Sequence, residues 1–231
     1  MKNTRYIFIF LFLGMAFYAC KKDKSVEQQQ NFGYNYFLEE VGSYVIYDVD
    51  STWQDDKSNV DTAFHYRLKE VIASIFLDNS GRPTLRIERF KKLYNDTIPY
   101  DSMPWVGPRV WYANRTTKTA EKVEENVRYL KLTFPVLKGN KWDGNSYNTL
   151  GQKEYEVTSV DEAETINGLD FDSVITVKQF EQIDFIEYIY ETEKFARNIG
   201  LIYKVRDSLY DGGSADTVGY TFRQKIVDYG K

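Results

Sequence analysis

The chain has 231 residues, with 30 Lys+Arg against 34 Asp+Glu and a single histidine, for a formal net charge of −4. That mildly acidic balance, with no basic stripe, argues against nucleic acid as the main partner. One cysteine and one histidine exclude ordinary Cys/His zinc sites and Cys–His catalysis, and nothing in the composition calls for a cofactor. Nineteen Tyr and fifteen Phe, with many Val, Ile and Thr, are β-sheet composition.

Lys2 and Arg5 form a short positive start, and Tyr6 to Ala19 is an uncharged apolar run. The run is too short for a bilayer core of ~30 Å, which needs ~20 apolar residues, and it reads as the h-region of a signal peptide. Cys20 closes it, and charge returns at once in Lys21-Lys22-Asp23-Lys24. Ala19-Cys20 resembles the lipobox of bacterial lipoproteins, with Phe17 and Tyr18 in place of the family's usual Leu and small residue. The resemblance implies removal of residues 1–19 and acylation of Cys20, palmitate included. The membrane is then a partner through the lipid anchor, in the bacterial cell envelope and at its outer membrane. Residues 20–34 read as the lipidated cysteine and a polar tether, and 35–231 as a single β domain. The tether is mainly basic rather than acidic, which favours a periplasm-facing position over surface display.

From Tyr36 onward the pattern has period two, punctuated by turn residues. Strands are expected at 43–50, 62–78, 84–93, 109–113, 127–134, 154–160, 173–180, 183–190, 201–206 and 217–228. Within 62–78, Phe64, Tyr66 and Leu68 share one face; after Glu70 the apolar parity flips to Val71, Ala73, Ile75 and Leu77, which predicts a bulge or bend. Asn167-Gly168 predicts a tight hairpin turn. Helix is scarce: Thr119 to Asn126 offers about two turns and no apolar stripe. The expected fold is all-β, an antiparallel, strongly curved sheet of about ten strands forming a half-barrel or barrel, with a β-sandwich as the alternative.

Two phrases bracket the domain. Tyr36 to Tyr47 (YFLEEVGSYVIY) resembles the "YFPLxVGxxWxY" opening of bacterial envelope lipoproteins, and Glu193 to Tyr203 (EKFARNIGLIY) resembles their "EYAxGIGLVY" closing segment. The resemblance implies an all-β lipoprotein without an assigned activity, of a half-barrel kind that wraps apolar cargo.

Candidate chemistry is sparse. His65 lies beside Arg67 and Lys69 on what reads as a polar strand face, so no catalytic residue is assigned. Asp48 and Asp50 share a strand face, as residues two apart do, and Asp55/Asp56 and Asp170/Asp172 are further acid pairs; none has the spacing of a calcium loop, and no metal ligand is assigned. In the loop Gly139 to Asn145, Trp142 could stack on a sugar ring while Asn140, Asp143 and Asn145 bond its hydroxyls. The competing expectation is a turn-rich corner whose tryptophan plugs the barrel end. Asp followed by Ser or Thr and then Ala, Ile, Leu, Val, Met or Thr occurs seven times, where composition predicts roughly one. The triplet resembles an O-glycosylation acceptor of bacterial envelope proteins, which would place sugars on Ser51, Thr62, Thr97, Ser102, Ser173, Ser208 or Thr217. It also suits a turn followed by a strand start.

The leading functional expectation is a non-enzymatic, lipid-anchored envelope protein whose β domain binds a partner protein or an apolar ligand, or is structural. A carbohydrate-binding module and a carboxylate-dependent hydrolase are the alternatives.

Overall fold

The computed structural model describes residues 31–211 and 216–231. The signal-peptide and Cys20 expectations therefore lie outside the described residues. Residues 32–231 form one compact unit.

The unit is a single antiparallel sheet, twelve strands rather than about ten, and no sandwich. In chain order the strands are β1 (Tyr44–Asp55), β2 (Val60–Leu77), β3 (Pro83–Leu93), β4 (Val106–Arg115), β5 (Thr119–Glu124), β6 (Val127–Thr133), β7 (Lys141–Asp143), β8 (Glu154–Ile166), β9 (Leu169–Ile183), β10 (Glu187–Ala196), β11 (Gly200–Asp211) and β12 (Thr217–Gly230). Their order across the sheet is β6-β5-β4-β3-β2-β1-β12-β11-β10-β9-β8-β7. Neighbours in sequence are neighbours in space, and β1 pairs with β12 to join the two halves. The two edges, β6 and β7, then meet. Leu130 N–H donates to Gly144 O (2.9 Å), and Trp142 Nε1 donates to Leu130 O (2.9 Å). The sheet is thus a nearly closed barrel, which removes most of the exposed edge that an open sheet presents.

The local signals hold where turn chemistry decides. Asn167 (φ 51°) and Gly168 (φ 79°) make the two-residue hairpin turn between β8 and β9. In β2 the register shifts between Ile72 and Ser74, so the bend exists, but two residues later than the parity flip suggests. Glu70 interrupts the apolar pattern for another reason: it follows Tyr66 and Leu68 onto the inner face and is buried as a charge. Two expectations are corrected. Residues 119–126 are not helical: β5 pairs with β4 and β6, and Glu125 (φ 47°) and Asn126 (φ 67°) make its turn. Residues 183–190 are not one strand, because β9 runs to Ile183 and β10 starts at Glu187, with the turn held by Asp184 Oδ1 accepting from Ile186 and Glu187 N–H.

The antiparallel meander puts the turns 78–82, 116–118, 167–168 and 197–199 at one end, together with the residues that precede β1. That end is plugged. Residues 34–36 form a 3₁₀ turn, Tyr36 is fully buried, and Phe37 and Leu38 pack against the core clusters. A polar clamp fixes the plug. Tyr36 Oη donates to Asp161 Oδ1 (2.5 Å), Arg197 pairs with Asp161 at 2.7 Å, and Arg197 Nη1 donates to Asn35 Oδ1 (2.9 Å). The loops 56–59, 94–105, 125–126 and 184–186 lie at the opposite end.

Candidate functional site

Inward-facing positions of the strands build the interior, and its middle layer is charged rather than apolar. Two buried carboxylates, Glu124 on β5 and Glu193 on β10, share two lysines, Lys131 on β6 and Lys204 on β11. Lys131 Nζ lies 2.7 Å from Glu193 and 3.3 Å from Glu124; Lys204 Nζ lies 3.0 Å and 3.4 Å from the same two groups. Glu193 is 0% exposed. On one side Glu70 takes Arg89 and Lys122, each at 2.8 Å. On the other Glu191 takes Lys153 at 2.7 Å and stands 3.5 Å from Arg206. The belt joins strands distant in the sheet, so it staples opposite walls together.

Burial pushes the Glu193 and Glu124 carboxyls up, but Lys131 and Lys204 outweigh it and hold both below the usual carboxylate range. The same balance, with Lys122 and Arg89, lowers Glu70. Lys131 moves the other way: its burial is outweighed by Glu124 and Glu193, and its ammonium is raised. Glu70, Glu124, Glu193 and Lys131 are therefore held in their ionised forms near neutrality. Acid hydrolysis of a glycosidic bond needs one carboxyl kept protonated, and this pair keeps neither.

Above the belt, toward the open end, is a cavity of about 440 Å³. Its walls carry Arg89, Lys91, Arg109, Lys204 and Arg206 against Glu124 and Glu125, and the aromatic rings of Tyr66, Trp111, Tyr129, Tyr220 and Phe222. The Arg89 guanidinium sits 3.3 Å from the Trp111 ring centre and Lys91 Nζ 4.1 Å from that of Tyr66. Below the belt, Phe37 and Leu38 of the plug, Tyr47, Glu70 and Lys122 line a small void of about 70 Å³.

The sequence-derived candidates fall elsewhere. Trp142 is 9% exposed, packs edge-on to Tyr155, and spends its N–H on the β6–β7 seam. Asn140 Nδ2 donates to Pro135 O, Asn145 Nδ2 to Gly151 O, and Asp143 Oδ1 accepts from the Asn145 and Lys153 N–H groups. These four residues lie together and bind one another's loop. Asp48 and Asp50 do share the outer face of β1; Arg67 occupies the first at 2.8 Å and His65 the second at 2.5 Å. Among the hydroxyl candidates, Ser51 lines the open cavity, while Ser173 contacts Tyr36, Asp161 and Arg197 in the plug clamp. Ser102 is exposed, as is Thr97, whose hydroxyl donates to Asn95; Thr62, Ser208 and Thr217 are half-buried strand residues. The lumen residues escaped the sequence reading because Lys122, Glu124, Glu191, Glu193, Lys204 and Arg206 alternate like any solvent-facing row. Their one signal is that the row continues on β5, β10 and β11 with matched opposite charges.

No family model and no curated protein matches the sequence. Solved structures of similar fold include a protein from Bacteroides fragilis described as exported and of YmcC-like fold, with a TM-score of 0.47 and 11% identity, covering 84% of this chain and 98% of that one. Another, from Parabacteroides distasonis and described as a lipoprotein, has a TM-score of 0.33 and 10% identity, covering 85% and 99%. Likeness at this level carries nothing about activity.

Proposed function

We propose that the protein is a non-catalytic receptor, anchored in the bacterial envelope through an acylated Cys20, whose barrel lumen holds a small ligand. The observation that carries this reading is the one-ended lumen: plugged by Tyr36, Phe37 and Leu38, floored by an ion-pair layer, and open above it as a cavity of about 440 Å³. Ligand pockets of folded proteins run from about 300 to 1,000 Å³, and few ordinary cores leave such a volume. The charged walls favour a polar ligand over the apolar cargo that the lipoprotein resemblance implies.

The test uses the full chain expressed in a bacterial envelope and purified in mild detergent. Native mass spectrometry is expected to find a bound mass that denaturation releases. Ser51→Trp, which places an indole in the mouth, is expected to abolish it while the melting temperature stays within a few degrees. No releasable mass on the native chain, or one that Ser51→Trp leaves unchanged, would sink the receptor reading. The anchor is tested separately: Cys20→Ser should abolish labelling by a clickable fatty acid.

A further inference from the structure

The lumen carries more positive than negative charge, although the chain as a whole is acidic. Among the described residues five carboxylates face it: Glu70, Glu124, Glu125, Glu191 and Glu193. Each is already engaged by at least one cation. Eight cations face them. Arg89, Lys122, Lys131, Lys153, Lys204 and Arg206 belong to the belt and its flanks, and Arg109 stands 3.9 Å from Glu125. The eighth, Lys91, has no carboxylate within ion-pair reach among the described residues and rests over the Tyr66 ring. Partial burial, with Arg89 and Arg109 close by, holds its ammonium below the usual lysine range. The Arg109–Glu125 pair is mostly exposed and balances itself at the mouth; deeper in, a surplus of partly desolvated positive charge is costly unless an anion answers it.

Hydrogen bonding points the same way. Arg206 Nε and Gln179 Nε2 are buried donors without a hydrogen-bond partner among the described residues. Buried donors of this kind are normally satisfied; Arg206 Nε has only the long ion pair to Glu191, at 3.5 Å, and it borders the open cavity, whereas Gln179 borders a separate recess beside Lys153 and Tyr155. The third unpartnered atom, Glu193 Oε2, belongs to a carboxylate that two lysines already hold. Tyr129, Tyr220 and Phe222 add flat apolar wall beside the cations.

We propose that the open cavity is an anion site, taking a small organic carboxylate or phosphate that carries a flat apolar body. Arg206 and Lys91 meet the charged group, and the aromatic wall packs against the body. This rests on the receptor reading and names its ligand class.

Calorimetric titration of the full detergent-purified chain with benzoate, phenyl phosphate and uncharged benzyl alcohol tests it. At least one anion should bind and the alcohol should not; which anion binds separates carboxylate from phosphate. Added salt should weaken binding, and Lys91→Met and Arg206→Gln should each weaken it by about tenfold or more. Lys91→Met removes a cation crowded by Arg89 and Arg109, so its melting temperature should hold or rise, which separates lost binding from lost fold. Equal binding of benzyl alcohol would overturn the anion assignment and leave a receptor of neutral ligands. No binding by either anion, or wild-type affinity in both variants, would overturn it outright, whatever the native mass spectrum shows.

Discussion

Glu193→Gln probes the ion-pair layer that the barrel closes around. The carboxylate is fully buried and meets Lys131 at 2.7 Å and Lys204 at 3.0 Å. Removing one partner of a buried pair costs about 3–5 kcal/mol, because the remaining charge is left uncompensated. Here both lysines keep Glu124, at 3.3 Å and 3.4 Å, so the loss belongs at the lower end, about 3 kcal/mol. For a unit of this size that is a melting-temperature drop of about 6–12 °C. The assay is equilibrium urea unfolding of wild type, Glu193→Gln, Lys131→Met and the double variant. The two changes disrupt one contact, so the double variant should be destabilised by about 1–3 kcal/mol less than the sum of the singles. The pH dependence has a defined sign. The Glu193 carboxyl is held low in the folded state, so its contribution is complete above the unfolded value of about 4.5 and is lost as pH falls toward the folded value of about 2. Wild type should therefore lose stability faster than Glu193→Gln below pH 4.5. A cost under about 1 kcal/mol, strict additivity, or identical acid limbs would refute the reasoning.

Other elements give further expectations. Gly144→Ala would set a Cβ 2.3 Å from the Tyr155 ring and should destabilise by about 1–3 kcal/mol by urea unfolding, since the ring must be displaced. Trp142→Phe removes the indole N–H from Leu130 O; hydrogen exchange should then quicken along β6 and β7 while β1 and β12 keep their protection. Arg197→Ala unties Asn35 and Asp161, and should expose the plug to limited proteolysis near Tyr36 without abolishing the β-rich circular dichroism. If the Asp-Ser/Thr triplets are glycosylated, peptide mapping should find sugar on exposed loop positions such as Ser102 and not on Ser173, whose hydroxyl is held in the plug clamp.

What the sequence determined on its own is the local part of the fold. Alternating side chains specify strands because successive residues face opposite sides, and Asn167-Gly168 specifies a hairpin because both residues accept positive φ. The residues 119–126 show where composition misleads: Glu and Lys favour helix in isolation, yet pairing with β4 and β6 makes them strand. Which face lies inside was not legible past Glu70, since an inward glutamate and an outward one occupy the same place in a period-two pattern. Only closure of the barrel decided that. It brings Lys131 to Glu193 and Lys204 to Glu124 across 62 and 80 residues of chain, and turns rows that look solvent-facing into the floor of an interior cavity. Alternation tells a residue which neighbours share its side; the inside exists only once distant strands have met around it.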